Sequence, residues 1–125
     1  MKEQISPENG PPPKGPYSPA IRANGFIFVS GQGPIILETG EPLRGSIEDQ
    51  VHLTLQNVKL VVEAAGSSLE KVVKANIYLR DIGNFAVMNE IYGSYFEGIP
   101  PARTTVQVAN LPLEIDVEIE AIALE

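Results

Sequence analysis

Arg103 and Glu120 are the two side chains of this sequence whose types and positions best suit chemistry. A guanidinium group is planar and can hold a carboxylate through two parallel hydrogen bonds, whereas a glutamate can position a water molecule or move a proton. The apolar alternation around each residue predicts that both side chains point to the same face of a sheet. A cross-strand ion pair would show the same pattern and is the simpler interpretation, so the residues alone leave both open.

The stretch DVEIEAIALE (116–125) weakens the ion-pair interpretation. It begins as an alternating strand with acids on one side, and then Ile122 and Leu124 take the positions where further acids would continue the pattern. A strand face that becomes apolar in this way is typical of a covered surface. Glu120 borders that surface, and an acid in such a place is less typical of a merely solvated charge.

The remaining residue types exclude several other kinds of site. The chain has no cysteine, which excludes disulfides, thiolate zinc sites and cysteine nucleophiles. Its one histidine, His52, lies beside the apolar stripe of a predicted helix and is interpreted as a surface or boundary residue. The stretch SGQG (30–33) matches no phosphate-binding pattern, and the sequence places no base next to Ser30. The residues therefore predict no metal site and give little support to nucleotide binding.

Charge and hydropathy narrow the class of protein further. The formal net charge is −7, and no stripe of Lys and Arg is present, which argues against non-specific nucleic-acid binding. No apolar run approaches the ~18 residues of a membrane span. The segment MKEQISPENGPPPKG (1–15) lacks the pattern of a secretory or transit leader, so the expected location is cytoplasmic.

The length predicts a single domain over residues 1–125. Ser46 and Asp49 begin the clearest helix, which spans 46–65 and ends before Gly66. The other predicted elements are a second helix over 84–97 and strands over 25–34, 35–43, 71–81, 102–111 and 115–124. The strand over 35–43 is expected to pair with its predecessor through a turn at Thr39 and Gly40. The Pro-rich segment 6–19 is either a disordered tail or an ordered loop.

These elements predict an α+β fold with one mixed sheet of about six strands and both helices on one face. A sheet face that is open to water stays polar. The face opposite the helices is instead predicted to be mixed, with Arg103, Thr105 and Gln107 from one strand and Ile122 and Leu124 from another. We therefore expect another subunit to cover it.

Five stretches of the sequence carry a family signature. They are GPYSPAI (15–21), VSGQGPI (29–35), QNVKLVVEAAG (56–66), YLRDIGNFAVMNEIY (78–92), and PPARTTVQVANLP (100–112) followed by VEIEAIALE (117–125). Almost from end to end, the chain resembles the Rid family of reactive intermediate deaminases, formerly called YjgF, and the RidA type in particular. The resemblance implies a chorismate-mutase-like fold, a six-stranded mixed sheet with two helices on one face, that assembles as a homotrimer with clefts between neighbouring chains.

The same resemblance implies an activity. RidA-type proteins hydrolyse enamine and imine intermediates, such as 2-aminoacrylate, 2-iminobutanoate and 2-iminopropanoate, to 2-keto acids and ammonia without a metal or cofactor. Two other functions stay open: a non-catalytic trimer that binds small carboxylates and, less favoured by the acidic charge, an endoribonuclease. The expected partners are small-molecule ligands and further copies of the chain, with no membrane.

Matching positions take their roles from the resemblance. Arg103 would hold the substrate carboxylate, and Glu120 would orient the attacking water or pass it a proton. The residues that would line the cleft are Tyr17, Ser30, the backbone of Gly31, Asn89 and Thr105. Thr105 departs from the family pattern, because many RidA proteins carry a cysteine there. Any behaviour that depends on that thiol should be absent.

Overall fold

A computed structural model describes residues 1–10 and 12–125 of the chain. Its strands are β1 (Glu3–Ile5), β2 (Ala20–Ala23), β3 (Phe26–Gln32), β4 (Val72–Leu79), β5 (Ala102–Gln107) and β6 (Val117–Leu124). Its helices are α1 (Ile47–Ala64) and α2 (Phe85–Tyr95), with short 3-10 turns at Leu69–Lys71, Ile82–Asn84 and Pro112–Glu114.

The six strands form one mixed sheet in the order β1-β2-β3-β6-β4-β5. All neighbouring strands are antiparallel except β4 and β5, which run parallel and are connected through α2. The last strand in chain order, β6, therefore lies inside the sheet between β3 and β4. This architecture confirms the predicted α+β fold with six strands and two helices.

The helix α1 begins and ends as its sequence predicts. The Ser46 hydroxyl accepts a hydrogen bond from the Asp49 amide at 3.1 Å, and Gly66 takes the left-handed φ of 80° that terminates many helices. The apolar stripe of α1 is fully buried from Val51 to Val62 and partly buried at Ile47, and it belongs to one core with the inward side chains of the sheet and with Met88 and Tyr92 of α2. Both helices therefore cover the same face of the sheet.

The region around β3 differs from the prediction. Residues 35–43 do not pair with β3; they form a turn closed by a single bridge between Ile35 and Pro42, with Gly40 at φ 73°. Both edges of β3 are already occupied, one by β2 and the other by β6. The sequence did not predict β1 and β2, because strands of three and four residues are too short to display an alternation.

The face of the sheet that turns away from the helices, here called the open face, has an apolar half. Phe26 pairs with Leu124 and Phe28 pairs with Ile122, so the apolar end of β6 is matched by aromatic residues on β3. Phe26, Phe28 and Leu124 are 39%, 43% and 43% exposed in the single chain, which is unusual for such large apolar side chains. The replacement of acids by apolar residues from Ile122 onward is thus part of an apolar patch that spans two strands.

The orientation predicted for β5 is wrong. Arg103 pairs with Ala75 and Thr105 pairs with Ile77, and both of these β4 residues point into the core, so Arg103 and Thr105 face the helices. Gln107 lies on the same side, where its side-chain oxygen accepts the amide of Ile82 at 2.9 Å. The prediction assumed that the apolar side of β5 faces the core. Because β5 is an edge strand, its polar side faces the helices instead.

Candidate functional site

Four polar side chains meet on the open face, where β4 and β6 run side by side. Asn76 lies opposite Glu120 and Tyr78 lies opposite Glu118 in the register of the two strands. The Asn76 amide donates a hydrogen bond to Oε1 of Glu120 at 3.1 Å, and the Tyr78 hydroxyl donates another to the same oxygen. These four residues are called the carboxylate cluster below.

Glu118 lies against the backbone of β3 at Gly31. A Cβ atom added to Gly31 would be 2.5 Å from Oε2 of Glu118, so any other residue there would displace the carboxylate. Burial raises the pKa of Glu118, and the charge of Glu120 raises it further. No hydrogen bond to the Glu118 side chain is found within residues 1–10 and 12–125. Glu118 is therefore a partly buried carboxyl whose proton is held more tightly than usual.

Tyr78 shares the electrostatics of the two acids. Its hydrogen bond to Glu120 is the largest of the effects that raise the pKa of Tyr78 to about 12; burial and the charges of Glu120 and Glu118 add to it. The phenol is consequently a permanent donor at neutral pH. Glu120 accepts hydrogen bonds from Tyr78 and Asn76 on the neighbouring strand. The side chain of Glu118 has no such bond among the described residues and is available to a ligand.

A cavity of about 570 Å³ opens beside the carboxylate cluster, and both Glu118 and Glu120 line it. Tyr17, Ser30 and Gly31 line the same cavity, so three residues that the resemblance assigned to the cleft are brought together with the acids. The rest of its wall is formed by the Pro-rich segment, by the turn that follows β3, by residues near Leu113 and by one side of α1.

Ser30 attaches the Pro-rich segment to the sheet. Its hydroxyl donates to the carbonyl oxygen of Ser18 at 2.6 Å, and its amide donates to the carbonyl oxygen of Pro19 at 3.0 Å. These bonds fix the residues that follow Tyr17, whose side chain is 52% exposed at the cavity. The end of segment 6–19 is therefore held against β3 at Ser18 and Pro19; Pro11 lies outside the described residues.

Arg103 belongs to a second group on the other side of the sheet. Its guanidinium carbon lies 4.9 Å from the ring centre of Tyr92 and 5.5 Å from that of Phe85, both on α2. Asn89 follows Phe85 by four residues and precedes Tyr92 by three, so it shares their face of the helix. Thr105 is two residues after Arg103 on the same side of β5. Arg103, Phe85, Asn89, Tyr92 and Thr105 are called the arginine cluster below.

Arg103 is a half-buried cation that lacks an acidic neighbour. No carboxylate in the described part of the chain lies within 4.0 Å of its guanidinium. The aromatic faces beneath it offset part of the cost of removing the charge from water, and its polar edge stays available for an anion. The hydroxyl of Thr105 is buried and has no hydrogen-bond partner among the described residues, so the cluster also holds an unused polar group.

The structure does not bring Arg103 and Glu120 together within one chain. Glu120 lies opposite Asn76 on the open face, whereas Arg103 lies opposite Ala75 on the helix face. The predicted shared face, and the cross-strand ion pair that it would allow, are therefore wrong. Arg103, Asn89 and Thr105 do not line the cavity that holds the acids. The candidate residues fall into two groups separated by the thickness of the sheet.

The sequence analysis passed over Glu118. Glu118 and Glu120 occupy equivalent positions in the alternation, so periodicity cannot tell them apart. What distinguishes them is their neighbours across the sheet: donors from β4 for Glu120, and the bare backbone of Gly31 for Glu118. The glycine in SGQG was the available signal, because a glycine inside a strand often marks a close approach by another group.

The described residues show neither a metal-binding group nor a bilayer-crossing helix. No three His, Asp or Glu side chains within 1–10 and 12–125 are grouped as metal ligands would be. None of the helices in this part of the chain combines the length and the apolar character needed to traverse a bilayer.

Comparison with known proteins identifies relatives along the whole chain. Residues 7–125 match the family model described as Endoribonuclease L-PSP. A RutC family protein of Pyrococcus horikoshii is 51% identical over 98% of this chain and 98% of its own length. A protein of Arabidopsis thaliana named Reactive Intermediate Deaminase A, chloroplastic, is 46% identical over 98% of this chain and 65% of its own length. The crystal structure of E. coli TdcF with bound serine superimposes with a TM-score of 0.92 at 36% identity, covering 98% of each chain.

Proposed function

This chain belongs to the Rid family, the family described as Endoribonuclease L-PSP, and on that premise we propose that it hydrolyses small enamines and imines of 2-amino acids to 2-keto acids and ammonia. The observation that carries the proposal is the carboxyl of Glu118, which has a raised pKa and lies at a cavity against Gly31. A group of this kind suits proton transfer near neutral pH. The relative named as a deaminase and the relative with bound serine support the same class of substrate.

The chemistry needs one carboxyl that alternately gives and takes a proton. Protonated Glu118 donates its proton to the terminal carbon of the enamine, and the enamine thereby becomes an iminium ion. The Glu118 carboxylate then takes a proton from water as the water oxygen bonds to the imine carbon. The carboxyl returns that proton to the nitrogen, the carbon–nitrogen bond breaks, and ammonia leaves as the hydroxyl proton passes back to Glu118. Atoms balance, and Glu118 ends as it began.

Holding the substrate requires a cation, and the cavity of Glu118 is lined by Lys14 of the Pro-rich loop, whose single ammonium group offers no planar fork for a carboxylate. Arg103 is the group that suits the substrate carboxylate, because it presents a planar fork without an acidic partner among the described residues. Since Arg103 and Glu118 lie on opposite faces of one sheet, we propose that the site forms between the carboxylate cluster of one chain and the arginine cluster of a neighbour. A homotrimer is the assembly we propose, with the apolar patch of the open face covered by other copies.

Mixing two inactive variants tests this proposal. Arg103→Ala and Glu118→Gln should each reduce imine hydrolysis about 100-fold or more. If each site combines residues from two chains, unfolding and refolding the two variants together should restore about one quarter of wild-type activity, the fraction of sites with both groups intact. Imines are generated continuously by a pyridoxal-phosphate lyase, and their loss is measured against the spontaneous rate.

The control is a mixture of Arg103→Ala with Arg103→Gln, which lack the same group and should stay inactive. No recovery in the first mixture, despite mixed oligomers being formed, would contradict a shared site. A wild-type rate equal to the spontaneous rate would contradict catalysis, and in that case tight binding of pyruvate would favour a non-catalytic carboxylate-binding protein. The acidic charge and the acids of the cavity give no support to RNA cleavage.

A further inference from the structure

Most of the wall of the cavity beside Glu118 and Glu120 is apolar, and the reaction above gives that part of the wall no task. Outside the Pro-rich segment, the apolar side chains that line the cavity are those of Ile35, Leu37, Leu60, Val61, Leu113 and Ile115. Ligand sites commonly combine such an apolar wall with a few polar groups that act on the ligand. The two acids and the apolar side chains therefore have the composition of one site with two parts.

The cavity is also larger than the smallest proposed substrate requires. Its volume is about 570 Å³. A molecule as small as 2-aminoacrylate fills roughly 180 Å³ if each of its non-hydrogen atoms takes the ~30 Å³ that a water molecule occupies in the liquid. Most of the cavity would then stay empty of substrate. A substrate with a longer apolar side chain would fill this space and remove apolar surface from water.

Leu113 differs from the other members of the apolar wall in its backbone. It has φ 61° and ψ 13°, and Glu114 follows with φ 53°, so two successive residues take the left-handed conformation. Residues other than glycine, asparagine and aspartate rarely adopt this conformation. The leucine side chain is also 43% exposed in the single chain, so it contributes little to the core. Neither the backbone nor the core accounts for a leucine at this position.

Two arginines hold the turn that carries Leu113. Nη1 of Arg80 donates to the carbonyl oxygen of Glu114 at 2.8 Å, and Nη1 of Arg44 donates to the same oxygen at 3.1 Å. Arg80 comes directly after β4 and Arg44 lies before α1, so the turn is attached to two separate parts of the fold. The strained backbone is thereby kept in place, and strain of this kind is typical of segments that hold a ligand.

We propose that the apolar wall is a subsite for the side chain of the substrate and that Leu113 determines its selectivity. The preferred substrates are then imines of 2-amino acids with branched or long apolar side chains, such as leucine, over the imine of alanine. The inference deepens the proposed function and rests on it, because the reacting carbon has to lie at Glu118 for the side chain to enter the same cavity. Leu113 contacts only the part of the substrate that does not react.

The substitution Leu113→Gly tests the role of the side chain. Glycine adopts the left-handed backbone without strain, so the variant should fold. An amino-acid oxidase generates the imines of leucine and alanine, and kcat/KM is measured for each against the spontaneous rate. The wild type should prefer the leucine imine about 10-fold or more, because one methylene group in an apolar pocket is worth about 10–200-fold. Leu113→Gly should lose most of this preference, with kcat/KM for the alanine imine unchanged within about 2-fold.

Glu114→Gly is the matched control, because it relieves the second left-handed residue of the same turn, and Glu114 does not line the cavity. Its preference for the leucine imine should equal that of the wild type. An equal loss of preference in both variants would assign the effect to the turn rather than to the side chain and would overturn the inference. A Leu113→Gly variant that keeps the preference but assembles less well would also overturn it, because Leu113 would then be a contact between copies of the chain.

Binding of 2-keto acids, measured by calorimetry, separates this inference from the proposed function. One outcome is a protein that turns over no imine, binds the 2-keto acid of leucine more tightly than pyruvate, and loses this difference in Leu113→Gly. That outcome would support the subsite and contradict the proposed function. Turnover of both imines at equal kcat/KM by the wild type would contradict the subsite and leave the proposed function supported.

Discussion

The carboxylate cluster and the arginine cluster are built by opposite means. The carboxylate cluster lies on two inner strands, where two acids repel each other and cross-strand hydrogen bonds fix one of them. The arginine cluster lies on an edge strand, where two aromatic rings support a cation without hydrogen-bonding it. Each cluster carries a charge that its own surroundings do not neutralise. Such uncompensated groups are costly to keep, which is why they are typical of functional sites rather than of structural ones.

The largest loss of activity that should act through the carboxylate cluster and spare the arginine cluster is expected from Gly31→Ala. The added Cβ atom would be 2.5 Å from Oε2 of Glu118, and because that carboxylate is the end of a flexible side chain, it should move away from β3. A displacement of this size at a catalytic acid should reduce kcat/KM about 10–100-fold. Steady-state kinetics measures it, and the affinity of the arginine cluster for a carboxylate inhibitor should be unaffected.

Gly45→Ala is the control for that substitution. A Cβ atom at Gly45 meets nothing within 4 Å, so activity should match the wild type. If Gly31→Ala also retained full activity, the position of Glu118 against the β3 backbone would not matter for the reaction, and the carboxylate cluster would be no more constrained than the arginine cluster.

A smaller effect is expected on the arginine side from Phe85→Leu, which removes one of the two rings beneath Arg103. A cation–π contact at a partly exposed site is worth about 0.5–1 kcal/mol, so KM for the imine should rise about 2–5-fold. The value of kcat should change little, because the substrate carboxylate is held equally in the ground and transition states. Phe85→Tyr keeps an aromatic face and should restore KM; a loss confined to kcat would contradict this role.

The smallest effect concerns stability and comes from Glu118→Gln. The raised pKa of Glu118 means that the folded state binds its proton more tightly than the unfolded state, so stability is lost as pH rises through that pKa. Removing the ionisable group should raise Tm by about 1–3 °C at neutral pH and change it little at a pH where the wild-type carboxyl is already protonated. Circular dichroism melting at both pH values measures this difference.

The exposed loop residue Glu38 provides the comparison for the stability measurement. Glu38→Gln removes the same charge from the surface, and it should not give the rise in Tm at neutral pH that is expected of Glu118→Gln. A lower Tm for Glu118→Gln at neutral pH would contradict the electrostatic cost that we assign to the carboxylate cluster.

Sequence periodicity predicted the parts of the fold where burial decides residue type. Most of the stripe of α1 and the inward side of β6 correspond to buried side chains, and the cap at Ser46 was visible as a local motif. On β5 the same rule failed, because an edge strand places Arg103 and Thr105 toward the helices and Val106 toward the open face. The apolar side of an edge strand does not identify the core.

The family resemblance named the candidate residues, but the sequence did not contain their arrangement. Tyr17, Ser30 and Gly31, which the resemblance assigns to a cleft, line one cavity with Glu120. Arg103 is on the other side, and the distinction between Glu118 and Glu120 depends on the register of β6 against both β3 and β4. Register is a long-range property that the local pattern of one strand does not contain.

The central place of β6 has a consequence for how the chain folds. The two halves of the sheet, β1–β3 and β4–β5, share no hydrogen-bonded edge until β6 enters between them, and this joins residues as distant in sequence as Phe26 and Leu124. Pairings of such high contact order are slow to form. Until then β3 and β4 present two open edges that strands of other molecules can occupy, so refolding yield should fall as protein concentration rises.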